Sequence, residues 1–318
     1  MTEALSRRGV LARGAAGLGT ALGLGGGRLE ATGRKVAGLE GGPFRYCLNT
    51  ALLRGYDLGI VEQVDLAGKA GYDGIEPWIA DLERFEASGG SLADLRSRIA
   101  DLGLAVESAI GFAPWIAEDP AQRRQGLEQA RREMELVSRI GGARIAAPPA
   151  GAVRGATLEP TAMADRYRAL LEAGARIGVV PQLEVWGFAK NLSRLAESMF
   201  VVIEAGHPDA CLLPDVYHLY KGGSGFEGLR QLSRHAIQVL HMNDYPEIPR
   251  EQIEDKDRVL PGEGVAPLPQ ILGILRDNGC APALSIELFN EGYWQRYDAP
   301  TLASLGLERM KAATAVLD

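Results

Sequence analysis

Cysteine is scarce in this 318-residue sequence: Cys47, Cys211 and Cys280 lie far apart, each in an apolar run. That spacing excludes a disulfide framework or a zinc–cysteine cluster and reads as three buried thiols. Histidine is scarce too, at four residues. That is too few for the multi-zinc cluster of a phosphodiester-cleaving barrel. Positive charge is in deficit: 34 Lys and Arg face 41 Asp and Glu, for a net charge of -7. An acidic surface repels phosphate backbones, so no nucleic-acid partner is expected. No apolar run is long enough to span a bilayer, so no membrane span is expected either. What remains is ordinary globular composition, 46% apolar and 24% charged, which argues against disorder.

The N-terminus stands apart. Ser6-Arg7-Arg8-Gly9-Val10-Leu11 precedes an uncharged Gly/Ala-rich stretch from Gly14 to Gly27. A paired arginine before such a segment resembles a twin-arginine export signal. Val10 stands where Phe is common and Ala12 where Lys is common, and no clean A-x-A cleavage site follows. The expectation is a signal or disordered leader over residues 1–40 and an exported, periplasmic protein. A cytoplasmic tail is the alternative.

From Phe44 onward, apolar runs alternate with helical patterns. Strands are expected at Phe44–Asn49, Gly74–Trp78, Ala105–Gly111, Arg144–Ala147, Val179–Val185, Ala210–Val216, Ile237–Met242 and Leu284–Leu288. Helices are expected near 57–70, 91–102, 120–140, 159–177, 191–205, 226–233, 267–279 and 301–317. Several strands are nearly all apolar, as strands buried on both faces of a parallel sheet are. Eight strand–helix units predict a single (β/α)8 barrel over residues 43–318. An open doubly wound sheet would carry a Gly-rich phosphate loop after its first strand, and Cys47-Leu48-Asn49-Thr50 is not one. The longest loop, Tyr245 to Val265, follows the seventh strand, where barrel lids are found.

Side chains at the C-terminal tips of barrel strands converge on one point. Those tips carry Glu76, Glu184, Asp215 with His218, His241, and Glu287. Lone carboxylates in apolar strands are costly unless paired or metal-bound. Glu184, Asp215, His241 and Glu287 together form a mixed oxygen/nitrogen set suited to one divalent ion, Mn²⁺, Mg²⁺, Co²⁺ or Zn²⁺. Glu76 is read as a substrate-contacting or supporting acid, with an internal ion pair as the alternative. Trp78, Trp115 and Trp186 lie near strand ends, where they stack on a sugar ring or merely pack the rim. Asn243 and Asp244 are read as orienting groups behind the ligands.

The stretches Glu184-Val185, Pro214-Asp215-Val216-Tyr217-His218, His241-Met242-Asn243-Asp244, Arg258 with Pro261-Gly262-Glu263-Gly264, and Ser285-Ile286-Glu287 resemble the sugar isomerase/epimerase family of xylose-isomerase-like TIM barrels. The resemblance covers residues 44 to about 315. It implies that Glu184, Asp215, His241 and Glu287 bind the metal and that Glu184 and Glu287 also move the proton. It further implies that His218 and Arg258 touch substrate oxygens. The family includes epimerases, isomerases and dehydratases, so the substrate stays open.

The resulting expectation is a metal-dependent isomerase or epimerase of a small, unphosphorylated sugar or keto-sugar, acting through an enediolate. Glu76, Trp115 and Trp186 are expected to join His218 and Arg258 around the carbohydrate. A lyase on a keto-sugar or keto-glycoside is the first alternative, and an exported sugar-binding protein with a structural metal the second. Homo-oligomerisation is compatible with all three.

Overall fold

The computed structural model describes residues 44–317. The leader expected over residues 1–40 lies outside the described residues, and with it the export reading. Eight strands follow one another: β1 (Arg45–Asn49), β2 (Gly74–Glu76), β3 (Ala105–Val106), β4 (Arg144–Ala147), β5 (Val180–Glu184), β6 (Leu212–Leu213), β7 (Val239–Met242) and β8 (Ala283–Ile286). All pairings between them are parallel. β3-β2-β1-β8-β7 form one run and β4-β5-β6 another. Two bridges, Leu212↔Ile237 and Asp215↔His241, join β6 to β7. Beyond the short β3, Ala146 N donates to Ala109 O at 2.8 Å and ties that segment to β4. The barrel therefore closes, as its eight alternating units require.

Strand side chains alternate with period two. Leu48, Ile75, Leu183, Leu212, Leu240 and Leu284 face outward into the main core under the helices. Cys47, Ala146, Leu213, Val239 and Ala283 face inward and form a second, small cluster inside the barrel. Two residues further along, the same inward faces carry Asn49, Asp215, His241 and Ser285, all buried. The strand parity that plugs the barrel with small apolar groups thus lifts polar groups to its C-terminal end. All three cysteines are free and buried, as expected.

Ten α-helices are described: α1 (Ile60–Ala70), α2 (Ile79–Ala87), α3 (Leu92–Asp101), α4 (Pro120–Arg139), α5 (Pro160–Ile177), α6 (Leu195–Ala205), α7 (Val216–Lys221), α8 (Leu268–Asp277), α9 (Glu291–Arg296) and α10 (Ala299–Ala315). α4 starts where its signals place it, with the Asp119 carboxylate accepting from Gln122 N at 2.7 Å and Pro120 in the first turn. α1 stops at Gly71, whose φ of 87° is open to glycine at little cost.

The structure corrects several expectations. α2, α7 and α9 were not expected; each is short and begins within a few residues of a strand tip. The sixth strand ends at Leu213 because the Asp215 side chain accepts from His218 N and starts α7. The third strand pairs over two residues only, and the helix expected at 226–233 is a 3₁₀ helix, Phe226–Gln231. Among the described residues, no helix is long and apolar enough to cross a membrane.

Candidate metal centre and substrate cavity

Glu184 ends β5, His241 is the third residue of β7, and Glu287 directly follows β8. Each offers one ligand atom, and these atoms all lie within 4.8 Å of one another in a buried group. His241 Nδ1 is 3.2 Å from Glu287 Oε2, 3.5 Å from Glu184 Oε1 and 3.9 Å from Asp215 Oδ2. Among the described residues it has no hydrogen-bond partner. The other ring nitrogen, Nε2, lies 3.1 and 3.3 Å from the two oxygens of Glu76. A carboxylate only accepts, so Nε2 carries the hydrogen and donates it to Glu76. A bare Nδ1 would turn its lone pair toward three carboxylates, an arrangement that repels itself unless a proton on Nδ1 or a cation sits between them. Burial alone would lower the pKa of His241; Glu287, Glu76 and Glu184 outweigh it and hold the imidazole well above its ordinary value. The centre demands positive charge, and its donor set fits a divalent ion.

Glu76 is fixed from below. Its Oε2 accepts from Asn49 Nδ2 at 3.0 Å and from Ser285 Oγ at 2.6 Å. It is fully buried and does not line the cavity above. The expected substrate contact is therefore corrected: Glu76 orients His241, the carboxylate–histidine pairing common behind metal ligands. Asp215 sits at the edge of the centre. Its Oδ1 accepts from His218 N at 2.7 Å; its Oδ2 accepts from Asn243 Nδ2 at 2.9 Å and Arg258 Nη1 at 3.0 Å. The four expected ligands are thus brought together, three with converging atoms and Asp215 engaged by its neighbours. Burial pushes the Glu184 carboxyl up to about 7 and Asp215 to about 6, against the pull of His241 on the first and Arg258 on the second. Burial acts on Glu287 in the same sense, but His241 and Arg258 overcome it and hold it well below the usual carboxylate range.

Arg258 reaches in from the loop after β7. Nη1 donates to Glu287 Oε2 at 2.9 Å, and Nη2 donates to Asp255 Oδ1 at 2.5 Å and to His218 Nε2 at 3.1 Å. Because arginine only donates, His218 Nε2 accepts and the ring is neutral. Burial and the Arg258 charge both hold its pKa well below the ordinary value. Asp244 builds the loop that brings Arg258 there: its carboxylate accepts from the backbone N–H groups of Tyr245, Gly262, Gly264 and Ala266 at 2.8–3.1 Å.

Above the centre lies a cavity of about 110 Å³. Glu184, Glu287, His218, Arg258 and Asp255 form its polar part, and Trp186 lines its wall. His218, Arg258 and Trp186 therefore stand where expected. Trp115 does not: it is buried, its indole donates to Pro148 O at 2.7 Å, and its ring packs on Tyr167 5.9 Å away. The expectation for Trp115 is corrected, since the chain turns this side chain beneath the loop and into the core. Sequence reasoning missed Asp255, Phe112, Phe188 and Phe289 as lining residues. For Phe289 a signal was present, two residues beyond Glu287 and on the same face.

The family model for the xylose isomerase-like TIM barrel matches residues 64–313. The chain belongs to that family. Among its relatives, an inosose isomerase of Halalkalibacterium halodurans is 33% identical over 127 residues, 40% of this chain and 45% of that protein. A 3-dehydroshikimate dehydratase of Pseudomonas aeruginosa is 27% identical over 254 residues, 76% of this chain and 38% of that protein. The chain thus spans less than half the length of these two curated relatives. A solved structure of IOLI protein with a bound zinc atom superposes with a TM-score of 0.80 at 21% identity, over 86% of this chain and 99% of that one. At that identity the likeness is one of fold. Within this family frame, the strand tips that carry the cluster are those expected from the sequence.

Proposed function

We propose that this xylose isomerase-like barrel is a metal-dependent isomerase or epimerase of a small sugar or keto-sugar. The observation that carries the reading is His241 Nδ1, without a hydrogen-bond partner among the described residues and surrounded by the carboxylates of Glu184, Asp215 and Glu287. Glu184, His241 and Glu287 would hold the ion with Asp215 beside them, and Mn²⁺, Mg²⁺, Co²⁺ and Zn²⁺ all suit this donor set. A divalent charge at this point makes the C–H next to a substrate carbonyl more acidic. Glu184 and Glu287 reach the cavity from separate strands, which gives each access to a different face of the substrate. One removes the proton beside the carbonyl to leave an enediolate. The other returns a proton to the opposite face, inverting the centre, or to the neighbouring carbon, giving the isomer. Arg258 and His218 line the cavity where substrate oxygens would lie: Arg258 fixes the His218 ring through Nε2, and the His218 Nδ1–H, without a partner among the described residues, would donate to a substrate oxygen.

The inosose isomerase relative supports carbonyl–hydroxyl interchange. The dehydratase relative favours a second reading: with a leaving group on the next carbon, the same proton abstraction ends in elimination. Export through the twin-arginine-type leader belongs to the same proposal and is the reason for preferring an unphosphorylated substrate. The test is solvent exchange. Protein supplied with Mn²⁺ is incubated with free ketoses and 3-keto-glycosides in D₂O and followed by NMR. Deuterium should enter the carbon beside the carbonyl. Tight sugar binding with no deuterium uptake by any of them would sink the enzyme reading in favour of a binding protein.

A further inference from the structure

We propose that the groove between the N-terminal halves of α4 and α5 binds a small organic oxyanion, a carboxylate or phosphate group carried on an apolar body. The groove encloses about 420 Å³, within the range of small-molecule sites. It shares no lining residue with the cavity above the metal centre. Its occupant is therefore a ligand distinct from the substrate, whatever reaction the metal centre performs.

Helical spacing assembles the walls. Arg123, Arg124 and Leu127 line the groove from α4, and Ala162, Asp165, Arg166 and Ala169 line it from α5. Steps of three and four residues put such side chains on one helix face. The two alanines present only a methyl group to the groove, and Trp115, from the segment before α4, adds to its apolar lining.

The charge of this groove runs against the rest of the chain. Three arginines face one aspartate here, in a sequence with 34 Lys and Arg against 41 Asp and Glu. Further along α4, Arg131 pairs with Glu128 and Arg139 with Glu86. Among the described residues, Arg123, Arg124, Arg166 and Asp165 take part in no ion pair. Main-chain carbonyls hold two of the arginines instead. Arg123 Nη1 donates to Ala117 O at 2.8 Å and Glu118 O at 2.9 Å, and Arg166 Nη1 donates to Ile116 O at 2.8 Å. A carbonyl fixes a guanidinium without cancelling its charge. Each guanidinium has five N–H donors, so both keep donors beyond these bonds. Burial and the neighbouring Arg123 charge hold the Arg166 guanidinium below its ordinary pKa, against the pull of Glu118. An oxyanion held by both arginines relieves that repulsion, and their planar forks match the paired oxygens of a carboxylate or phosphate. Because the carbonyls set the forks beforehand, little ordering is left to oppose binding. The apolar residues beside them give the rest of the ligand a surface to cover.

The experiment is calorimetric titration of the Mg²⁺-supplied protein with phenyl phosphate, phenylacetate, inorganic phosphate and benzyl alcohol. At least one of the two aryl anions should bind about tenfold more tightly than inorganic phosphate, and the tighter of the two names the oxyanion. Benzyl alcohol, which carries the ring without the charge, should bind far more weakly than either. Arg124→Gln alters an exposed side chain and should weaken the aryl anion about tenfold with far-UV circular dichroism unchanged. Arg166→Lys, which keeps the charge and loses the fork, should weaken it by a similar factor; Arg124→Gln decides alone if that variant is unstable. Glu287→Gln, at the metal centre, should leave the affinity as it is. The anion site is overturned if neither aryl anion binds, or if inorganic phosphate or benzyl alcohol binds as tightly as they do. It is equally overturned if the arginine variants keep parental affinity, or if Glu287→Gln abolishes binding and so places the anion at the metal centre.

Discussion

Among the carboxylates this barrel buries, Asp244, Glu133 and Glu184 are each kept by different means. Asp244, at the foot of the loop after β7, takes four backbone N–H groups. Burial still raises its pKa, but the four bonds pull it back. Glu133, inside α4, has a single side-chain donor, Gln129 Nε2 at 2.7 Å. Burial pushes its carboxyl up to about 7, so near neutrality a proton does the neutralising. Burial pushes Glu184 up to about 7 as well, but its close partner is the His241 imidazole, shared with Glu287. A carboxylate wrapped in N–H groups builds structure. One that takes up a proton is tolerated, and one grouped with others around a bare nitrogen is built for a cation.

The sharpest break in that comparison is Glu184→Gln. Glutamine keeps the size and one carbonyl oxygen but accepts no proton near neutrality. Turnover, or solvent deuterium uptake, should fall by roughly 10²–10⁴-fold. The melting temperature of the metal-free protein should not fall, because an unneutralised buried charge has been removed. Near-parental turnover with the ion bound would take proton transfer away from Glu184.

Asp244→Ala should act in the opposite way, through stability. Four backbone donors lose a charged acceptor, at a cost of about 2–4 kcal/mol in urea unfolding. A loss below about 1 kcal/mol would mean that the loop re-forms its bonds with water.

For Glu133 the folded pKa lies above the unfolded one, so the protonated form is favoured by folding. The penalty is absent below the ordinary glutamate pKa, grows as pH rises toward 7, and is constant above. Its limit is about 3 kcal/mol. Glu133→Gln should therefore leave the unfolding free energy unchanged at pH 4 and raise it at pH 8, flattening the curve between. An equal effect at both pH values would contradict a proton-neutralised Glu133.

The smallest expected effect belongs to Glu76→Gln. It keeps the burial and an acceptor for Nε2–H but removes the charge behind the imidazole. Mn²⁺ affinity measured by titration should drop about 10–100-fold. An unchanged affinity would mean that Asn49 and Ser285 hold His241 in place without the charge of Glu76.

Much of this molecule is legible in its sequence, and the reason is periodicity. Apolar runs of strand length, Gly71 as a helix stop and Asp119-Pro120 as a helix start are local signals, and each appears where expected. The tips bearing Glu184, Asp215, His241 and Glu287 could be named because a closed parallel barrel sends all strand ends to one place. α2, α7 and α9 escaped because each is too short to develop a helical period next to a strand tip.

Only the tertiary structure decided what each polar tip does. Glu76 and Glu184 are the same residue at equivalent tips, yet one supports an imidazole from beneath and the other opens into a cavity. That difference depends on Asn49 and Ser285, which lie on other strands. Trp115 and Trp186 likewise look alike in sequence, but the path of the loop sends one into the core and the other to the cavity wall. Asp255 and Phe188 join the site only because the closed barrel folds their loops over the same strand ends. The sequence determines which side of a strand a residue takes, because that parity is local. Which partner waits there is set by contacts between residues far apart in the chain, and that only the closed barrel decides.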